Sequence, residues 1–172
     1  MRSFDACLQL APQHLPAMIN AAQAALQVAR FADARRYCER ALRQQPTSAE
    51  AHFNLGKALK GLNDQQGALT AFQEAARFAA NDSMAQNDIG LQLFELGEID
   101  AALACYEKAL QLAPNNPMSM SNLGRLYQTK GSLDAALEWA RKAANAAPNH
   151  PEILSNLSGV LNSLSQYEDA ER

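Results

Sequence analysis

The chain has 172 residues, with 15 Lys and Arg against 18 Asp and Glu, and a net charge of −3 at neutral pH. An acidic balance and only 6% aromatic residues give nucleic acid neither a basic field nor stacking platforms, so no nucleic-acid partner is expected. No run of about 18 apolar residues occurs, so no membrane span is expected, and the opening MRSFDACLQLAP lacks the apolar core of a signal peptide.

One small residue returns at a fixed interval. Ala34, Ala68, Ala102, Ala136 and Ala170 lie one period apart (68 − 34 = 34, and each later step is the same). A period of about 34 is the mark of a repeated helix–turn–helix. The alanine is needed where the two helices cross so closely that a larger side chain would clash. Other slots keep the same register. Gly56, Gly90 and Gly124 share one; Leu55, Ile89, Leu123 and Leu157 share another; Phe4, Phe72 and Tyr106 share a third; Pro12, Pro46, Pro114 and Pro148 close four units, with Ala80 in the fifth place.

In chain order, residues 1–14 match the second half of a unit and form a partial repeat, its B helix alone. Full units follow at 15–48, 49–82, 83–116 and 117–150, each with an A helix, a short turn and a B helix. Residues 151–172 hold a further A helix and the start of its B helix. Pro117 and Pro151 stand at helix starts, where a missing N–H is harmless. Asp100 and Asp134 open B helices, where a carboxylate suits both cap and dipole. Gly97 and Gly131 fall in the A–B turn, where freedom to take positive φ is useful. In the first full unit Ala22 replaces the glycine, Ala25 a large residue and Cys38 the aromatic, which predicts looser packing there. Leu154, Leu157, Leu161 and Leu164 form an apolar stripe on the last A helix. With a repeat cut at each end, the chain reads as an excised piece of a longer array, and end-to-end self-association through the open ends is expected.

The pattern is fullest from Asn116 to Pro148, with N-L-G-x-L-Y, then K-G-S-L-D-A-A-L, then K-A-A-N-A-A-P-N. Here the chain resembles the tetratricopeptide repeat family, over essentially its whole length. The resemblance implies an all-α, right-handed solenoid of antiparallel helix pairs whose A helices line a concave groove. It also implies a non-catalytic module that binds a peptide or protein segment in that groove.

Asn20, Asn54, Asp88, Asn122 and Asn156 recur once per unit, in a slot that the resemblance places on the groove. A side-chain amide both donates and accepts, so it can hold the backbone of an extended peptide without reading its sequence. This ladder is similar to the asparagine ladder in the repeat domain of O-linked N-acetylglucosamine transferases. The resemblance therefore carries a second reading, the substrate-recruiting array of a larger glycosyltransferase; a self-assembling array is a third. Asp88 departs from the ladder, since a carboxylate cannot donate. The alternative is that the ladder is structural. Phe53, Lys57, Met84, Leu91, Phe94, Met118 and Arg125 are further groove candidates, as apolar anchors and cations for a ligand; the alternative for Phe94 is packing between neighbouring A helices. The lysine slot of the clamp by which related repeats grip chaperone tails would fall on Ile19, Phe53, Asn87, Ser121 or Ser155. None is lysine, which disfavours that ligand.

No phosphate-binding loop, dinucleotide fingerprint, nucleophile elbow or metal motif is present. No catalytic residue, metal or cofactor is expected at His14, His52, His150 or elsewhere. Cys7, Cys38 and Cys105 read as small buried hydrophobes. They fit a reducing cytoplasm, although a fragment leaves export open.

Overall fold

The computed structural model describes residues 14–170, with side chains placed through residue 166. The half-unit expected at residues 1–14, including Phe4 and Cys7, lies outside the described residues apart from His14. Among the described residues all regular structure is helical: α1 Leu15–Gln27, α2 Phe31–Gln44, α3 Ala49–Gly61, α4 Gln65–Phe78, α5 Ser83–Glu95, α6 Ile99–Leu112, α7 Pro117–Thr129, α8 Leu133–Ala146 and α9 Pro151–Ala170. Through α8, A helices of 13 residues alternate with B helices of 14.

Two compact units divide between Ala80 and Asn81. In the first, α1 pairs with α2 and α3 with α4, α2 also packs on α3, and α1 touches α3. In the second, α5 pairs with α6 and α7 with α8; α6 packs on α7, α8 on α9, and the A helices α5, α7 and α9 touch in succession. Each unit is therefore all-α and built from repeated helix pairs.

Every A–B turn has the same form. Ala29, Asn63, Gly97 and Gly131, one per turn, take φ of 55°, 61°, 84° and 75°. The next N–H reaches back five residues: Arg30 N to Ala25 O at 2.8 Å, Asp64 N to Leu59 O at 2.9 Å, Glu98 N to Leu93 O at 2.9 Å and Ser132 N to Tyr127 O at 3.0 Å. This is the Schellman closure, which satisfies the orphan carbonyls at a helix end and needs one left-handed residue. Glycine fills that slot in the second unit. In the first unit Ala29 and Asn63 do, and alanine there carries the steric cost of a Cβ at positive φ.

The helix pairs close on the alanine slot. Ala34, Ala68, Ala102 and Ala136 are all 0% exposed, whereas the side chain of Ala170 lies outside the described residues. The glycine slot faces the aromatic slot of the B helix. A Cβ on Gly56 would stand 2.5 Å from the Phe72 ring, and one on Gly90 would stand 2.8 Å from the Tyr106 ring. Where Cys38 replaces the aromatic, Ala22 fits in the glycine slot and both are buried. At Gly124 the partner slot holds Ala140, whose backbone N comes within 3.2 Å of where a Cβ would be.

The first full unit, where looser packing is expected, still buries its small residues. Ala22 and Ala25 are 0% exposed and Cys38 is 1% exposed, with Met18 and Tyr37 buried beside them at 1% and 2%. The aromatic has moved by one residue: Tyr37-Cys38 and Trp139-Ala140 exchange the large and small members of Ala71-Phe72 and Cys105-Tyr106. Two other expectations differ. Asp100 and Asp134 lie inside the first turns of α6 and α8; the N-caps are Glu98 and Ser132, neither of which makes a side-chain cap bond. The carboxylates of Asp100 and Asp134 therefore serve the helix dipole and not the cap, and Asp100 Oδ1 also pairs with Lys130 Nζ at 3.5 Å. The A–B turn expected after residue 163 is also absent. α9 runs unbroken to Ala170, and the left-handed slot holds Ser165 (131 + 34 = 165), which lacks the freedom of glycine.

Ala29→Gly should stabilise the protein by about 1 kcal/mol, since the left-handed conformation costs an L-residue about 1–2 kcal/mol and glycine returns part of that as unfolded-state entropy. Gly90→Ala should destabilise it by about 1–3 kcal/mol through its clash with the Tyr106 ring. Thermal and urea melts of the two variants against the parent chain check both signs.

Candidate functional site

The repeat brings polar side chains of successive A helices into contact, and an offset of 35 residues recurs among these bonds. In the second unit, Asn122 Nδ2 on α7 donates to Asn87 Oδ1 on α5 at 2.9 Å, 35 residues back. Asn156 Nδ2 on α9 donates to Ser121 Oγ on α7 at 2.9 Å, again 35 residues back. Ser119 Oγ also donates to Asn87 Oδ1, at 3.1 Å. One turn further along, Gln128 Nε2 donates to Ser163 Oγ at 2.8 Å and Gly159 O at 3.1 Å. In the first unit Gln23 Nε2 on α1 donates to Glu50 Oε1 on α3 at 2.8 Å.

This offset decides the state of each ladder residue. Asn122 is 4% exposed and its amide is already engaged. Asn156 is half-buried and bound to Ser121. Asn54 is 3% exposed, and the same offset leads to Ile19 (54 − 35 = 19), which has no acceptor; Asn54 Nδ2 is buried without a hydrogen-bond partner. Asn20 and Asp88 are exposed, and Asp88 Oδ1 accepts from Asn87 Nδ2 at 3.4 Å. The ladder therefore differs from the open row expected: two of its amides, Asn54 and Asn122, are buried against neighbouring helices.

The other candidates also divide. In the first unit Phe53 is half-buried on Phe72, ring centroids 5.8 Å apart, and exposed Lys57 lies with Nζ 5.6 Å from the Phe53 centroid. In the second, Met84 is 72% exposed. Leu91 and Phe94 are half-buried. Met118 packs against Met120, Ala143 and Ile153 and belongs to the core edge. The Arg125 guanidinium lies 4.9 Å from the Phe94 ring centroid, which joins α7 to α5. Phe94 is thus half-buried on α5 and touched from α7 by Arg125.

Arg125 has a second neighbour from below. Tyr106 is 0% exposed, its phenol is pushed up from its ordinary pKa by burial, and Arg125 is the largest influence opposing that shift. Tyr106 Oη and Arg125 Nε are both buried, and a hydrogen bond from Arg125 is a further influence that opposes the rise of the phenol. A composition-based reading had no signal for this pair, because each residue alone looks like an ordinary repeat position.

Elsewhere in the second unit a cleft of about 550 Å³ opens between α6, α7 and α8, lined by Leu110, Pro114, Leu123, Tyr127 and Trp139 with Glu107 and Gln111 at its edge. Lys142 Nζ stands 4.4 Å from the Trp139 centroid. Trp139 escaped the sequence reading because the aromatic slot sits one residue further on. Burial raises the Cys38 thiol to about 12 and the Cys105 thiol to about 11, so both stay protonated at neutral pH. Among the described residues no three His, Cys, Asp or Glu side chains cluster as a metal site, and no helix is long and apolar enough to cross a membrane.

Three family models match the chain: a tetratricopeptide repeat model over residues 19–83, a TPR repeat model over 90–131 and a further tetratricopeptide repeat model over 118–146. No curated protein matches in sequence. Among solved structures, the crystal structure of MamA is similar over 84% of this chain and 85% of its own, at 26% identity and a TM-score of 0.72. YrrB, a TPR protein described as having an unusual peptide-binding site, is similar over 88% of this chain and 78% of its own, at 26% identity and a TM-score of 0.70. A thermophilic TPR protein of Thermus thermophilus is similar over 92% of this chain and 87% of its own, at 25% identity and a TM-score of 0.71.

Asn122→Ala should cost about 0.5–1.5 kcal/mol, because it deletes a buried hydrogen bond while Asn87 Oδ1 keeps its bond from Ser119 Oγ. Asn54→Ala should cost less, since its amide has no bond to lose; urea melts compare the two. A thiol reagent at pH 8 should leave Cys38 and Cys105 unlabelled in the folded protein and label both in urea, as peptide mapping by mass spectrometry would read.

Proposed function

Because the chain belongs to the tetratricopeptide repeat family, we propose that it is a non-catalytic interaction module that holds a peptide or protein segment against its A-helix faces. The observation that carries this reading is the face of α5 and α7 in the second unit. There Met84 is 72% exposed, Leu91 and Phe94 are partly open, and Arg125 stands over Phe94. Apolar anchors beside polar groups that are already positioned suit an extended polypeptide. The peptide-binding site ascribed to YrrB, at 26% identity, lends support.

An adaptor stands ahead of the substrate-recruiting array of a larger glycosyltransferase. A backbone-gripping ladder needs amides that can turn to the ligand, and Asn54 and Asn122 are buried. Asn20, in the first unit, is the ladder amide with most freedom.

The test uses a photoreactive benzophenone amino acid placed at Leu91 and, separately, at exposed Arg141 on α8, followed by irradiation in the source cells. Position 91 should give a discrete covalent adduct with another polypeptide and position 141 should not. No adduct at 91, or equal adducts at both positions, would overturn the reading.

A further inference from the structure

We propose that Arg125 is an anion-recognition residue that takes the carboxylate of an aspartate or glutamate side chain within an extended peptide. The inference rests on the peptide-binding reading above and specifies its ligand chemistry. Arg125 is half-buried, and its guanidinium is held in place by the Phe94 ring at 4.9 Å. The ion pairs among the described residues do not include it. Asp88 on α5 accepts from Asn87, and Glu95 is the carboxylate that acts, with Arg125, on the Tyr106 phenol.

Arg125 Nε is enclosed beside the buried Tyr106 phenol, so that edge of the guanidinium is not open to a ligand. Arg125 as a whole is only half-buried, and an oxygen acceptor from outside would meet its remaining N–H groups. A carboxylate fits best: it is acceptor-only, planar, and able to take two parallel N–H bonds from one guanidinium. The Phe94 ring holds the charge at one side, and the planar fork of a guanidinium could still take a carboxylate at its open edge, an arrangement lysine could not reproduce.

Position selects an internal acidic side chain over a chain terminus. Arg125 lies on α7, the middle of the A helices α5, α7 and α9 that touch in succession. A bound segment therefore has helix on both sides of the cation. This site differs from a lysine-based clamp, since Asn87 and Ser121 occupy the slot where that clamp has lysine.

The test is selection on the purified full chain with a random nine-residue library displayed with no free carboxyl end, run in parallel with a library whose peptides end in a free carboxylate. The internal library should yield binders with Asp or Glu enriched at one fixed position. A bidentate pair implies that these peptides lose about tenfold or more in affinity for Arg125→Gln, and less for Arg125→Lys. Circular dichroism of both variants should match the parent chain. A variant that fails to fold is replaced by the complementary measurement, in which the selected acid is changed to its amide in the peptide and the same loss is read with the parent protein. Binders without acidic enrichment, or enrichment only of a terminal carboxylate, would overturn this inference while leaving peptide binding intact. No binders at all would overturn both.

Discussion

The whole arrangement depends on how closely the two helices of a pair approach. Ala34, Ala68, Ala102 and Ala136 have no exposed surface, and any larger residue at those points would push the helices apart. Close approach then dictates the opposite wall. Gly56 must be glycine because the Phe72 ring occupies the place of its Cβ, and Gly90 answers Tyr106 in the same way. Ala22 is allowed only because Cys38 is small. Packing of this kind tolerates exchange when total volume is kept, which explains how Tyr37-Cys38 and Trp139-Ala140 serve where Ala71-Phe72 and Cys105-Tyr106 stand in the other pairs.

Once the pairs have a fixed width, successive A helices meet at a fixed register. That register is the offset of 35 residues seen in the bonds from Asn122 to Asn87 and from Asn156 to Ser121. A ladder residue is thus never judged by its own identity alone. Its partner one repeat back decides whether the amide is engaged, as at Asn122, or orphaned, as at Asn54 over Ile19. The same amide cannot both satisfy a buried neighbour and turn outward to a ligand. A net contribution of about 0.5–1.5 kcal/mol per neutral hydrogen bond is enough to bias it toward the neighbour when no ligand is present.

This explains what was legible in the sequence. The helix pairs were, because small residues recurring at a period of 34 encode distance, and distance is a local demand on one slot. So was the left-handed turn at Gly97 and Gly131, since glycine advertises positive φ; Ala29 and Asn63 adopt it without that signal. The state of the candidate site was less so. Burial of Asn54 and Asn122, the retreat of Met118 into the core edge and the pairing of Arg125 with Phe94 depend on residues about a repeat away. The Trp139 cleft was hidden because its aromatic is displaced by one residue from the expected slot. The straight run of α9 through Ser165 shows the converse: a repeat position without the turn residue continues as helix.

The fold is therefore carried by one set of slots in each repeat, while a second set varies. The alanine, glycine and aromatic slots set the spacing and leave little room for change. The slot shared by Gln23, Lys57, Leu91 and Arg125 is free to vary in charge and size, since its occupants lie on the A helices away from the alanine contact. Each occupant also finds a different use: Gln23 bonds to Glu50, Lys57 lies over Phe53, and Arg125 lies over Phe94. Of these, Arg125 alone combines a fixed charge with a nitrogen enclosed beside a buried phenol. A cation over an aromatic ring gains about 0.5–2 kcal/mol, depending on its desolvation, while burial removes part of its hydration. The ring therefore offsets some of the cost of holding the charge in place without meeting its hydrogen-bonding demand. What sets Arg125 apart from Gln23 and Lys57 is its two aromatic neighbours, the Phe94 ring and the buried Tyr106 phenol.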